Sequence, residues 1–285
     1  MYLEYFGMES YPFSLTPNTH FYANLPRHQQ CLQLAITSLE QGEGLVKITG
    51  EVGTGKTLLC RQLLNSLSQD RFYTAYIPNP YLSPAELRFS LAQELGLGVS
   101  GHTSDKVLLD AIFQRLLELA QQRLQVVLVV DEAQAMHPET LEALRLLTNL
   151  ETEERKLMQV ILFGQPELDY RLEQHNMRQL KQRITFSGYL CPLNLAETQQ
   201  YIHHRLSQAG YNGELLFAPD TFALIQRRTG GIARLINIVC HKALLLAYGS
   251  DRGQVDKRMI VRAIDDTDSI DRSSFAWLTR AFKAS

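Results

Sequence analysis

Short apolar runs alternate with helical periodicity over the first two thirds of the chain. Strands are predicted at 45–50, 72–77, 125–130 and 158–163, and a fifth strand-like segment ends at Leu190. Between them, apolar residues recur at helical spacing, for example over 105–123. The run QVVLVV at 125–130 is apolar almost throughout, which is typical of a parallel strand covered on both faces. The pattern predicts an α/β fold with a parallel sheet.

The pattern changes beyond Pro192, where only helices are predicted. These helices cover 197–208, 219–228, 232–247 and 255–265. Because strand alternation is missing from this stretch, we expect a separate small all-helical domain after the α/β core. The predicted divisions are an N-terminal arm at 1–27, the core at 28–192, the helical domain at 193–267 and a C-terminal tail at 268–285.

A glycine-rich turn joins the first predicted strand to an amphipathic helix. Its sequence, GEVGTGKT, matches GxxxxGK[ST], the signature of a loop whose backbone N–H groups surround phosphate oxygens. Lys56 would bring a positive charge to the β- and γ-phosphates, and the Thr57 hydroxyl would bind Mg²⁺. The residues expected at the nucleotide are Gly50, Glu51, Val52, Gly53, Thr54, Gly55, Lys56, Thr57 and Leu58. We therefore predict nucleotide binding rather than a chance glycine turn.

Two acids directly follow the apolar strand at 125–130. Asp131 is expected to hold Mg²⁺, and Glu132 is expected to polarise the attacking water. Acids at a strand end are often merely solvated, but the phosphate loop upstream favours the hydrolytic interpretation. Gln165 follows the next strand and is a candidate to touch the γ-phosphate or the water, with a simple turn as the alternative.

Basic residues and glycines suggest two further contacts. The segment 171–183 is rich in Arg and Lys, which either form a solvated face or supply an arginine finger to a neighbouring subunit. Arg234 follows Gly230 and Gly231 on the first turn of a predicted helix, where it either faces the nucleotide or lies on the surface.

Aromatic residues mark both ends of the chain. Repeated prolines in 1–27 prevent one continuous helix, so we expect an extended arm that covers the core, the nucleotide base, or both. The tail contains the only tryptophan, Trp277. We expect the tail to form a final packing helix. The alternative is a helix that binds a membrane surface or a partner.

Composition narrows the class of protein. The net charge of -2 and a pI near 6.5 over 285 residues do not favour nucleic-acid binding, which usually needs a basic face. The four cysteines lack metal-ligand spacing and are expected to be reduced and buried. Because neither a secretory signal nor a membrane-spanning apolar run is apparent, a cytoplasmic location is expected.

The order of these motifs resembles that of AAA+ ATPases. The segments YLEYFGMESYPFSLTPNTHFY, ITGEVGTGKTLLCRQLL, VVDEAQ, LRLLTNLET and FGQPEL further resemble the general secretion pathway protein A family. These are bacterial ATPases of type II secretion, and within them the chain most resembles those of mannose-sensitive haemagglutinin (MSHA) pilus biogenesis. The resemblance implies a three-layer α/β/α core with a parallel sheet, followed by a helical lid.

The resemblance also implies roles for individual residues. Residues 50–57 would be Walker A, and 126–132 would be Walker B. Gln165 would be sensor 1, and Arg234 would be sensor 2. Arg183, or else Arg178, would be a trans-acting arginine. Asn79 would restrain the Walker B glutamate. Asn79 precedes Pro80, so an ordinary turn remains the alternative for that residue.

The implied function is an ATPase with ATP and Mg²⁺ that drives assembly or remodelling of a type IV pilus or a type II secretion apparatus. ATP binding would form a homo-oligomer, and attachment to the inner membrane would come through a partner. One alternative is a DNA-transposition regulator, which the near-neutral charge disfavours. Another is a nucleotide-gated scaffold with little hydrolysis, which Glu132 disfavours.

Overall fold

The computed structural model of the protein describes residues 2–99, 104–153 and 156–270. Contacts divide the chain into two compact units. One unit contains the residues up to Leu25, the loop segment Gly53–Gly55 and the described residues from Pro192 onward. The other contains Pro26–Val52 and Lys56–Cys191. The first unit is helical, and the second is built around a sheet.

A five-stranded parallel sheet forms the centre of the α/β unit. Its strands are β1 Leu45–Gly50, β2 Phe72–Ile77, β3 Gln125–Val130, β4 Met158–Gly164 and β5 Ile184–Leu190. The order is β2-β3-β4-β1-β5, and every pairing is parallel. β3 and β4 are buried along almost their whole length, as expected for inner strands that helices cover. The parallel sheet predicted from the apolar runs is confirmed.

Helices account for most of the remaining described residues. In chain order they are α1 Tyr2–Phe6, α2 Pro26–Glu40, α3 Lys56–Ser66, α4 Pro84–Glu94, α5 Asp105–Gln121, α6 Pro138–Leu147, α7 Pro166–Leu172, α8 Arg178–Arg183, α9 Leu195–Gln208, α10 Pro219–Thr229, α11 Ala233–Gly249 and α12 Lys257–Asp265. α4 begins with a capping box, in which Ser83 and Glu86 each accept a hydrogen bond from the other's backbone N–H. The helical C-terminal part is confirmed.

Strand register brings three polar chain segments to one edge of the sheet. Thr49 of β1 lies opposite Gly164 of β4, and Val130 of β3 lies opposite Leu162 of β4. The residues that follow β1, β3 and β4 therefore leave the sheet side by side, at the carboxyl edge where ligands bind in open α/β sheets.

The N-terminal arm packs within the helical unit. Tyr2 and Phe13 are almost completely buried. The hydroxyl of Tyr2 lies 3.1 Å from Nδ1 of His241, and the Phe13 ring meets the Phe217 ring edge-on at 6.0 Å. Through these contacts the arm covers the core of the helical unit. That the arm also lies near a nucleotide base stays a prediction.

Three expectations concern regions away from the sheet edge. Cys31, Cys60 and Cys240 are free and buried as expected, and Cys191 is free and partly exposed. The prediction for the tail around Trp277 lies outside the described residues. Over the ranges that the structure describes, no helix combines the length and apolarity needed to cross a bilayer.

Candidate active site at the sheet edge

The loop after β1 has the backbone conformation that its glycines permit. Gly53 and Gly55 have φ values of +82° and +101°, in the left-handed region that disfavours side chains. The Lys56 ammonium curls back and donates to the carbonyl oxygens of Gly50 and Glu51, at 2.7 and 2.9 Å. Burial lowers the pKa of Lys56, while the neighbouring carboxylates of the unit act in the opposite direction.

The other predicted loop residues line the same turn. Val52 is the most exposed of them, Thr54 is buried, and Leu58 is partly buried in the first turn of α3. α3 begins at Lys56, so its free N–H groups and the positive end of its dipole face the loop. This geometry suits an anion such as a phosphate.

Gly53 makes a close backbone approach to the start of α11 in the helical unit. Its carbonyl accepts a hydrogen bond from the Arg234 backbone N–H at 3.0 Å. A Cβ atom on Gly53 would lie 2.7 Å from Cβ of Arg234 and 3.0 Å from Cγ2 of Ile232. Glycine is therefore required here by space as well as by φ. The Arg234 side chain is exposed.

Asp131 is a buried carboxylate joined to the helix that follows the loop. It is only 2% exposed, and burial raises its pKa. A hydrogen bond from the Thr57 hydroxyl and one from the Glu132 backbone N–H, at 2.9 Å, oppose that shift. The two residues predicted to bind Mg²⁺ thus contact each other.

Glu132 is held by two side-chain amides. The Nε2 groups of Gln134 and Gln165 donate to the same carboxylate oxygen, Oε2, at 2.5 and 3.1 Å. The backbone N–H of Gln165 donates to Oε1 of Gln134 at 2.9 Å, which closes the cluster. Glu132 itself adopts a left-handed conformation with φ of 53°, which is unusual for a residue with a side chain.

Gln134 was not singled out by the sequence analysis. The motif VVDEAQ contains it, but a glutamine inside a short polar stretch has no periodicity or spacing that indicates a role. Only the return of the chain along β4 brings Gln165 beside it.

Asn79 follows β2 and makes a local turn. Its side-chain oxygen accepts a hydrogen bond from the Tyr81 backbone N–H at 3.3 Å. The amides that contact Glu132 come from Gln134 and Gln165 instead. The predicted restraint of Glu132 by Asn79 stays a prediction.

The two candidate trans-acting arginines lie at the ends of α8. Arg178 begins the helix, exposed, with Nη1 3.5 Å from Nε2 of His175. Arg183 ends it and is partly buried. Neither forms an ion pair with a residue in the described ranges, whereas Lys181 between them pairs with Glu173 at 2.6 Å. Among the described residues, the two arginines are therefore not committed to a carboxylate.

Comparison with known sequences finds a similarity within the α/β unit. Residues 39–172 match the family model described as the AAA domain. The matched segment is similar to that domain and contains β1 to β4, the glycine-rich loop and the strand-end acids.

A curated relative extends the similarity beyond the AAA domain. The chain is 42% identical over 248 residues to general secretion pathway protein A of Aeromonas hydrophila. The alignment covers 87% of this chain and 45% of the relative, so the chain spans less than half the length of that protein. The match supports the resemblance to AAA ATPases of the general secretion pathway protein A family.

Solved structures with the same fold belong to more distant proteins. The ORC2 protein of Aeropyrum pernix, in ADPNP–ADP complexes, superposes with a TM-score of 0.66 at 16% identity, over 91% of this chain and 74% of that one. Cdc6p of Pyrobaculum aerophilum superposes with a TM-score of 0.64 at 19% identity, over 86% and 67%. At such identities the likeness shows the fold alone, which is the P-loop AAA fold with a helical C-terminal part.

Proposed function

We propose that this AAA domain binds ATP with Mg²⁺ and hydrolyses it. The observation that carries the proposal is the arrangement at the carboxyl edge of the sheet. The glycine-rich loop with Lys56, the bonded pair Thr57–Asp131, and Glu132 with its two amides all belong to the ends of adjacent parallel strands. The ADPNP–ADP complexes of the Aeropyrum pernix protein agree with a nucleotide at this fold.

The donor set suits Mg²⁺. A hydroxyl and a carboxylate are hard oxygen ligands, and P-loop sites hold Mg²⁺ with few protein groups plus phosphate oxygens. Thr57 and Asp131 would hold the ion, which would neutralise charge on the β- and γ-phosphates. Burial raises the pKa of Asp131, and a bound cation would act in the opposite direction.

The remaining groups have separate roles in this proposal. Lys56 supplies positive charge to the phosphates. Glu132 orients the attacking water and accepts its proton, and Gln165 is placed to contact the same water or the γ-phosphate. Arg234 is the candidate sensor 2 arginine, Asn79 the candidate restraint on Glu132, and Arg183 or Arg178 the candidate finger toward a neighbouring subunit.

The trans-acting arginine would make hydrolysis depend on assembly. An arginine finger is worth about 10³–10⁵ in rate where it has been measured in GTPases. We therefore propose that ATP binding forms a homo-oligomer and that isolated monomers turn over slowly. The predicted division into an arm at 1–27, a core at 28–192 and a lid at 193–267 belongs to the same proposal.

The cellular role follows from the relative. Because the chain is 42% identical to general secretion pathway protein A, we propose that it drives assembly or remodelling of a type II secretion apparatus or an MSHA-like type IV pilus. We place it on the cytoplasmic side of the inner membrane, attached through a component of that apparatus.

ATP turnover as a function of protein concentration tests the proposal. We expect phosphate release per chain to rise with concentration in the wild type and to fall to background in Lys56→Ala. Glu132→Gln should retain ATP and form a stable oligomer by size-exclusion chromatography. A wild-type chain without turnover at any concentration contradicts the hydrolysis proposal. ATP-dependent retention of DNA at moderate salt would favour the transposition-regulator alternative.

A further inference from the structure

Gln134 links the ends of two strands through one carboxamide. Its Nε2 donates to Glu132 Oε2 at 2.5 Å, and its Oε1 accepts from the Gln165 backbone N–H at 2.9 Å. The orientation of the amide is determined chemically. A backbone N–H can only donate, so the Gln134 oxygen must face Gln165 and its NH₂ group must face Glu132.

The contact with Glu132 fixes one oxygen of the carboxylate. Gln134 and Gln165 both donate to Oε2, so two donors converge on the same atom. A carboxylate held in this way has a defined χ3, and its other oxygen, Oε1, points in one direction. A general base must be oriented within hydrogen-bond reach of the water that it deprotonates.

The surroundings of Gln134 are built to keep it in place. It lies in the short 3₁₀ helix Ala133–Ala135, whose first residue is buried. Arg171 of α7 donates to the Met136 carbonyl at 2.5 Å and so holds the end of that helix. On the other side, a Cβ atom at Gly164 would lie 2.9 Å from Cδ2 of Leu168 and 3.4 Å from Oε1 of Gln134. A glycine at the end of β4 leaves room for the bridge.

We propose that Gln134 is a positioning residue for the Walker B glutamate. It sets the carboxylate of Glu132 relative to the end of β4, so that a shift of Gln165 changes the orientation of the base. This inference rests on the proposed hydrolysis at the same site.

The bridge needs a donor and an acceptor at glutamine length. Gln134→Glu keeps the size but replaces the NH₂ donor with a second carboxylate beside Glu132. Two carboxylates at this separation repel each other, so this variant removes the donor and adds repulsion. Gln134→Leu removes both polar atoms at similar volume and adds no charge.

The test compares ATP turnover and ATP affinity in these two variants at pH 8. We expect kcat to fall about 10- to 100-fold in both, because a displaced base is costly. ATP affinity should stay within about threefold of wild type, since Gln134 is not placed at the phosphate loop. A general loss of structure would instead weaken turnover and ATP affinity together. Gln122→Glu, an exposed addition of the same charge, is the matched control.

A double-mutant cycle with Gln165→Ala distinguishes a loss of positioning of Glu132 from a general loss of structure. Because both amides act on Oε2, the double variant Gln134→Leu/Gln165→Ala should be no slower than the slower single variant. Thermal midpoints within a few degrees of wild type would show that the variants fold. If Gln134→Leu misfolds, the kcat and ATP affinity of Gln134→Glu are the deciding measurements.

Two outcomes overturn the inference, and they are distinguishable. Turnover within threefold of wild type in a folded Gln134→Glu, with active wild type and inactive Lys56→Ala, overturns the role of Gln134 alone. A wild-type chain without turnover overturns the hydrolysis proposal and this inference together.

Discussion

The two units each bury a cation, and the partners of those cations differ. Lys56 in the α/β unit and Arg205 of α9 in the helical unit are only 5% and 4% exposed. Lys56 donates to two carbonyls of its own loop, within six residues of itself. Arg205 donates to the carbonyls of Pro12 and Ser14 in the arm, about 190 positions away, and to the Tyr201 hydroxyl at 2.9 Å.

The difference is the one expected between a structural charge and a charge that is free to bind a ligand. Arg205 also lies over the rings of Phe21 and Tyr201, at 4.8 and 5.6 Å, so its guanidinium is enclosed by partners that hold the arm. Lys56 uses nearby carbonyls on a loop with two left-handed glycines, next to Asp131 and Glu132. A charge with distant, complementary partners stabilises a fold, whereas we expect one with local partners beside a buried acid to be available to a ligand.

The largest effect is expected from Lys56→Ala, measured by ATP turnover. Loss of one preorganised charge at a reacting group typically costs about 10²–10³ in rate. We expect at least that loss, together with weaker ATP binding, and an unfolding midpoint close to that of wild type. A large loss of stability would show that Lys56 is as structural as Arg205 and would contradict the comparison.

Arg205→Met should lower the stability of the fold rather than ATP turnover. Methionine retains an unbranched side chain, but two carbonyls and the Tyr201 hydroxyl lose their donor. We expect a loss of about 2–4 kcal/mol in the free energy of unfolding, because hydrogen bonds to charged groups contribute about 1.5–3 kcal/mol each. Urea denaturation measures it, and Arg258→Met, on an exposed position of α12, is the control. An unchanged urea midpoint in Arg205→Met would contradict the structural role of Arg205.

Two glycine substitutions distinguish left-handed backbone strain from a close contact of the added Cβ with neighbouring atoms. Gly42 and Gly53 have similar φ values, +78° and +82°, but only Gly53 has atoms within 4 Å of an added Cβ. Gly42→Ala should cost about 1–2 kcal/mol from left-handed strain and leave ATP affinity unchanged. Gly53→Ala should in addition weaken ATP binding about tenfold, because the loop must move away from Arg234. Equal ATP affinities in the two variants would contradict this.

The smallest effect is a pH-dependent gain in stability from Asp131→Asn. Burial raises the folded-state pKa of Asp131, so the folded chain binds this proton more tightly than the unfolded chain. Its favourable contribution is present below the unfolded pKa of about 3.9 and is lost as the pH rises through the folded pKa. Asp131→Asn should therefore be more stable than wild type at pH 8, with a smaller difference at pH 4, by urea midpoints. A variant less stable at pH 8 would contradict it.

Local sequence signals predicted much of the fold and the site. β1 and β3 have the predicted bounds, and β4 extends one residue further, to Gly164. The glycine-rich loop and the acids after β3 were predicted because each chemistry lies in consecutive residues. Parallel strands with continuous apolar runs then bring their polar ends to one edge, so even the meeting of loop and acids followed from the pattern.

Contacts between distant residues could not be predicted in this way. Gln134 holds Glu132 only because β4 returns beside β3 and presents the backbone of Gln165, 31 positions later. The carbonyls of the arm reach Arg205 across more than half of the chain. The identity of a hydrogen-bond partner depends on where two backbones meet in space, and periodicity does not encode that position.

The sequence by itself determined the strand–loop–helix unit, its glycine-rich loop and the place of the two acids after β3, because these depend on residues that are neighbours in the chain. The tertiary structure decided which amides hold Glu132, that the Asn79 side chain forms a turn with Tyr81, and that the arm is fastened by a buried arginine. Each of those outcomes depends on the distance between separate elements, which packing alone sets.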